Sequence, residues 1–250
     1  MAINVNTVYT TVLSILNKEQ RGYITPEEFN KLGTQVQLEI FENYFEDLNQ
    51  QLRVPQTDSE YANRQKNIDN CISIFKTIGN TTYNGAGGYF LPPSDLHRIG
   101  TVIYKDEKEL QRVERNDFLN INLSPLTKPT TQFPVYLYEQ VVQGAGGSNT
   151  GETHIFVKPT TITTAADITV SYIRKPADVV WGYQQLGGGT WSSGPYIYNS
   201  ATSTQFELDD TEQTEVILRI LAYAGVVIRD PQIVQAASQA VQSEEINSKS

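Results

Sequence analysis

Residues 17–29 read NKEQRGYITPEEF, and whether this stretch is a metal loop or a helix corner sets how the first third of the chain folds. A calcium loop of the EF-hand type needs oxygen ligands at loop positions one, three and five, a glycine at six and a bidentate glutamate at twelve. Counting from Asn17, Gly22 and Glu28 fall in place, but position one is a neutral amide and position five is Arg21. A cation where a carboxylate should coordinate removes a ligand and adds repulsion. The helix corner explains the same residues: Gly22 stops a first helix, Thr25 is the N-cap of a second, Pro26 takes its first position, and Glu28 closes a capping box. The corner is the expected structure, and an EF-hand-like calcium module at 17–29 is the alternative.

Outward from the corner, apolar residues recur at steps of three and four. Val5, Val8, Val12 and Ile15 or Leu16 mark the first helix, capped by Asn4 or Asn6. The second carries Phe29, Leu32, Val36, Ile40, Tyr44 and Leu48 on one stripe, widened by Phe41 and Phe45. Pro55 ends it. A third helix begins near Asp58 or Ser59 and carries Tyr61, Ile68, Ile72 and Phe75 before Gly79.

From Thr81 glycine turns and short alternating runs take over. Strands are expected at 89–91, 99–104, 110–113, 135–138, 154–157, 168–173 and 196–198, with a helical turn at 116–123 capped by Asn116 or Asp117. Glycine- and serine-rich inserts lie at 144–151 and 187–194. Helix returns after Asp209 and Asp210, which offer caps, with Val216, Ile217, Ile220, Leu221, Ala224, Val227 and Ile228 on one face. Pro231 breaks the run before a polar helix at 232–246.

The expected fold class is α+β: a helical bundle from N- and C-terminal segments with an inserted antiparallel β domain. The expected boundaries are 1–80, 81–208 and 209–250. Phe41, Tyr44, Phe45, Ile217, Ile220 and Leu221 are expected in the shared helical core.

Composition narrows the function. The 250-residue chain is 39% hydrophobic, enough for a core without staples. Its single cysteine, Cys71, excludes an internal disulfide and fits a buried structural thiol. A net charge of -9 argues against a protein that reads nucleic acid through clustered Lys and Arg. There is no apolar run of membrane-span length and no signal-peptide order at the N-terminus, which implies a soluble protein made inside the cell.

Catalytic chemistry finds no constellation. His97 and His154 are the two histidines, and neither has partners at ligand or triad spacing. The pairs Glu27–Glu28 and Asp209–Asp210 sit at helix starts, where the dipole favours negative charge. The glycine runs at 85–88 and 187–189 lack the Lys-Ser/Thr of a phosphate loop. No enzyme activity, cofactor or metal is expected. The candidate residues are instead for contacts with other chains: Trp191 on its glycine-rich insert, Trp181 and Tyr196 near it, and Gln232, Ile233 and Ile246 of the polar C-terminal helix.

The order of these elements, with the phrase Phe90-Leu91-Pro92-Pro93-Ser94-Asp95-Leu96-His97-Arg98-Ile99 leading into Thr101-Val102-Ile103-Tyr104, resembles the neck proteins of tailed bacteriophages. The run 168–176 (ITVSYIRKP) and the helix through 221–225 (LAYAG) carry the same likeness. The family is that of head-to-tail adaptor or tail tubular protein A-like ring proteins of short-tailed and crAss-like phages. The resemblance implies a homo-oligomeric ring, commonly a dodecamer, beneath the portal protein and above other neck and tail proteins. It implies location in the virion after assembly in the host cytoplasm, passage of DNA without sequence-specific binding, no membrane, and no catalytic residues. An acidic wall suits that passage, since it does not hold a polyanion. A receptor- or glycan-binding phage β protein using exposed Tyr and Trp is the second expectation.

Overall fold

The computed structural model describes residues 2–18, 23–53, 59–140, 153–185, 196–228, 235 and 238–243. The chain is mixed α and β and divides into two compact units, Met1–Ile74 with Pro176–Ser250, and Phe75–Lys175.

In the first unit, α1 (Val5–Lys18), α2 (Pro26–Arg53) and α3 (Ser59–Ser73) follow in sequence. Asn4 caps α1, its Oδ1 accepting from the backbone N–H of Asn6 at 2.9 Å and Thr7 at 3.1 Å. The capping box at α2 is reciprocal: Thr25 Oγ1 accepts from Glu28 N at 3.3 Å, while Glu28 Oε2 accepts from Thr25 N at 2.9 Å. These bonds hold the Glu28 carboxyl below its ordinary pKa. Gly22, the expected stop of α1, lies outside the described residues. Thr25→Ala is expected to cost about 1 kcal/mol, read from the denaturant midpoint. Calcium should leave the melting temperature unchanged; a calcium-dependent rise that vanishes in Glu28→Gln would restore the metal-loop reading.

Most of the expected stripe on α2 is buried, while Leu32 and Leu48 are half-buried. Phe29, Val36, Ile40, Phe41, Tyr44 and Phe45 are buried on α2, as are Val8, Tyr9, Val12 and Leu16 on α1, and α5 packs on both helices. Tyr9 packs edge-on against Phe29, with ring centroids 4.9 Å apart. α3 ends at Ser73, short of the expected Phe75 and Gly79. Thr77 and Ile78 are β-branched, and pairing with a partner strand prevails over continuation of the helical spacing.

The second unit starts with that pairing. β1 (Lys76–Asn80), β2 (Thr82–Asn84), β3 (Tyr89–Leu91), β4 (Leu96–Tyr104), β5 (Lys108–Glu109) and β6 (Gln111–Arg112) precede α4 (Arg115–Asn120), followed by β7 (Val135–Gln140), β8 (Thr153–Lys158) and β9 (Ile168–Arg174). One sheet has the order β1-β9-β4-β5 and the other β2-β3-β8-β7-β6. Every pairing is antiparallel except the short β6–β7 contact. Both sheets feed one core, in which Phe90, Tyr136, Ile155 and Val157 meet Val102, Ile168, Val170 and Tyr172.

The strand expected at 110–113 is broken, for a topological reason. Lys108–Glu109 pairs with β4, Gln111–Arg112 pairs with β7, and buried Leu110 between them donates its N–H to Val102 O at 2.8 Å. The chain changes sheets at that residue. Gly100 sits in a bulge of β4, where a Cβ would lie 2.8 Å from Ser171 O. The expected caps of α4 are not used: its N-cap is Glu114, with no side-chain bond.

The chain then returns to the first unit. β10 (Tyr183–Gln185) and β11 (Tyr196–Tyr198) form a hairpin, and α5 (Gln213–Ile228) packs on α1 and α2. Residues 176–208, expected in the β domain, therefore belong with the helices. A polar row on α2 fixes them: Trp181 N donates to Asn30 Oδ1 at 2.7 Å, Val179 N to Thr34 Oγ1 at 3.0 Å, and Gln37 Nε2 to Ala177 O at 2.7 Å. Buried Gln37 also accepts from Glu207 N at 2.8 Å. Gly33 lies in the same row, where a Cβ would come within 3.3 Å of the Phe206 ring. The cap expected from Asp209 or Asp210 is replaced by a 3-10 turn, Asp210–Glu212, without a side-chain cap bond from Asp209. Residues 238–243 are helical, as expected for the last segment.

Candidate functional site

Of the residues singled out for contacts, Trp191, Gln232, Ile233 and Ile246 lie outside the described residues. Trp181 is corrected by the structure. It is 4% exposed, packs tilted against the Tyr9 ring with centroids 4.3 Å apart, and donates its indole N–H to Asn6 Oδ1 at 3.1 Å. A large aromatic with its polar atom satisfied internally is a core residue and has no surface to offer. Tyr196 is on the surface, 36% exposed, with its ring edge-on to Tyr183 at 4.9 Å and Ile197 exposed beside it.

The residues weighed for catalysis are placed by packing. His154 is buried, stacked 4.0 Å from Tyr89, with Phe156 edge-on to it. Half-buried Cys71 has its thiol pushed up by burial and by Glu212, away from the thiolate that a nucleophile requires. Among the described residues, no group of three His, Cys, Asp or Glu is placed to hold a metal ion. An open depression of about 520 Å³ between Gly100, Thr101, Glu109, Leu110, Gln111, Arg112 and Tyr136 is lined by one carboxylate, one guanidinium and the hydroxyls of Thr101 and Tyr136. No helix among the described residues is long and apolar enough to cross a membrane.

A carboxylate network joins α2 to the start of α5. Tyr44 OH bonds the Glu212 carboxylate, and Tyr223 OH bonds Glu39. Arg219 donates to Glu215 at 2.7 Å and lies 3.8 Å from Glu39. Glu212 has its pKa raised to about 7, first by burial, then by Glu215 and Asp209, against the lowering effect of the Tyr44 hydrogen bond and Arg219. Burial first, and then the contact with Glu212, raise Tyr44 well above the usual phenol range.

The feature that packing does not explain lies between α4 and β7. Leu119, Leu123, Leu126 and Phe133 are 60%, 80%, 97% and 81% exposed. Their backbone is nonetheless fixed by successive turns: Ile121 N donates to Asp117 O at 2.8 Å, Lys128 N to Ser124 O at 3.1 Å, and Phe133 N to Thr130 O at 3.1 Å. Asn122 Nδ2 donates to Phe118 O at 2.8 Å, and Thr127 Oγ1 to Ile121 O at 3.1 Å. The base is tied to the sheet, where Arg115 Nε donates to Glu139 at 2.7 Å and Lys158 Nζ lies 5.6 Å from the Phe118 ring centroid. The segment is thus ordered by its own hydrogen bonds and holds four large apolar side chains exposed. The sequence signal is the run 118–126 (FLNINLSPL), apolar at short intervals and interrupted by Pro125, of which the short helix or turn expected at 116–123 covers only a part. Compared with protein-family models and with curated proteins, the chain matches none in sequence.

Proposed function

We propose that this protein is a structural, non-enzymatic subunit of a ring in the head-to-tail connector of a tailed phage, joining portal to tail and forming part of the DNA conduit. In this reading the helices from both chain ends form the bundle that carries 75–175 as an inserted antiparallel β domain. The expected state is a homo-oligomeric ring, a dodecamer by family resemblance, in the virion neck.

The observation that carries the reading is the ordered, exposed apolar segment holding Leu119, Leu123, Leu126 and Phe133. An isolated monomer gains nothing from it, and an assembly subunit needs such a surface. The net charge of -9 supports a wall past which a polyanion slides.

The test is incubation of the purified chain with portal rings of the same phage, followed by negative-stain imaging and mass measurement. A stacked ring on the portal is the expected result. A chain that ignores portals but binds cell-surface glycans, with binding lost in Tyr196→Ala, would replace this reading by that of a receptor-binding protein.

A further inference from the structure

The exposed apolar segment leaves open what covers it, and the distribution of charge supplies an answer. Residues 75–175 contain 10 Lys and Arg against nine Asp and Glu, which leaves nine and 19 in 1–74 with 176–250. The β unit is thus at a net charge of +1 and the helical unit at -10. The division is sharper locally. The apolar segment contains Lys128 and is touched by Lys108 and Lys158, with Arg112 on the neighbouring strand β6. Lys108 Nζ donates to the Gln132 amide at 3.2 Å, Arg112 lies 5.7 Å from the Tyr138 ring centroid, and Lys158 lies over Phe118. These three cations are held by neutral groups, so their charge remains available to a carboxylate from outside.

The strongest acidic element is α2, with six Asp and Glu against Lys31 and Arg53. Glu27 and Glu46 are exposed on it and Glu42 is half-buried, one turn from Glu46. Each copy therefore carries a cationic, apolar projection on one unit and an anionic helix on the other. Two projections facing each other would bring like charges together. A projection facing the acidic helix of another copy pairs opposite charges, and because the two patches differ, the contact is heterologous and can propagate into a ring.

We infer that the partner covering Leu119, Leu123, Leu126 and Phe133 is a second copy of this chain, which receives the segment on the acidic face of its α2. The inference rests on the connector reading for its ring and names the subunit contact within it. Lys108 and Lys128 steer the approach to Glu42 and Glu46, while the leucines and Phe133 are desolvated at the centre.

Three pairs of substitutions test it by light-scattering mass, with the full chain alone and on portal rings. Leu123→Asp/Leu126→Asp changes only exposed side chains, so the thermal melt should be kept and the oligomer lost. Lys108→Glu/Lys128→Glu and Glu42→Lys/Glu46→Lys should each leave a folded monomer, and mixing these two proteins should restore assembly, because every contact then pairs opposite charges. A projection-to-projection contact would leave Glu42→Lys/Glu46→Lys assembled by itself, and a general loss of folding would not be rescued on mixing. Persistence of the oligomer in Leu123→Asp/Leu126→Asp, or absence of rescue on mixing, overturns the inference; if portal binding survives, the connector reading stands without it. A wild-type chain that stays monomeric with and without portal rings, and does not bind them, sinks both. Assembly only with a different neck protein assigns the surface to that partner and also overturns the inference.

Discussion

Phe41→Ala is expected to destabilise the helical unit by roughly 3–5 kcal/mol. Phe41 is fully buried on α2, and its ring is edge-on to Phe45 with centroids 5.1 Å apart. Truncation removes the transfer energy of the ring and leaves a cavity among residues that cannot all move inward, since α5 packs on the same helix. Denaturant unfolding followed by far-UV circular dichroism reads the effect. A loss below about 1 kcal/mol would mean that the site repacks freely, and the shared core of α1, α2 and α5 would have to be redrawn.

The second large effect is a dependence on pH opposite to the usual acidic one. Most carboxylates are stabilised as anions in the folded state, so acid weakens the fold. Glu212 differs: its pKa rises from 4.5 to about 7 on folding, because burial, with Glu215 and Asp209 beside it, outweighs the lowering effect of the Tyr44 hydrogen bond and Arg219. The folded state therefore binds the proton more tightly. The contribution of this group is fully present below about pH 4.5, declines as pH rises toward 7, and is lost above it. One pKa unit corresponds to about 1.36 kcal/mol, so after allowance for residual solvent about 1–3 kcal/mol is at stake. Glu212→Gln keeps an acceptor for Tyr44 and removes the charge. It should be more stable than wild type at pH 8 by about 1–3 kcal/mol and equal to it at about pH 4. Equal stability of the two proteins at both pH values would show that Glu212 is solvated as an ordinary carboxylate.

The helices that read clearly in the sequence were those whose spacing and caps agree. Thr25, Pro26 and Glu28 announce the start of α2, and Phe29, Val36, Ile40 and Phe45 announce the side it buries. The strands at 89–91, 135–140, 153–158 and 168–174 were legible from β-branched and aromatic runs. β1 was misread as the end of α3, and β2 and β10 were not anticipated, because each is short and polar and exists through its partner's hydrogen bonds.

The candidate surface was hardly legible. Trp181 looks in sequence like a surface aromatic near a glycine-rich insert, yet Asn6 and Tyr9, far away in the chain, enclose it. Leu119, Leu123, Leu126 and Phe133 look like ordinary core residues and are exposed. Sequence period records which residues could share a face, but whether another element covers that face is a property of the assembled chain.

What the sequence determined by itself was therefore local: the capping box, the buried stripe of α2, the alternation of the longer strands and the excess of acid. These depend on groups within a few residues of one another, and short-range sterics and hydrogen bonds decide them. Only the tertiary structure decided that 176–208 joins the helices through Asn30, Thr34 and Gln37, that Leu110 carries the chain from one sheet to the other, and that Glu212 is buried beside Tyr44. Each of these depends on backbone or side-chain groups brought together across long stretches of chain, where the cost of leaving a buried polar group unpaired selects one arrangement that no local pattern encodes.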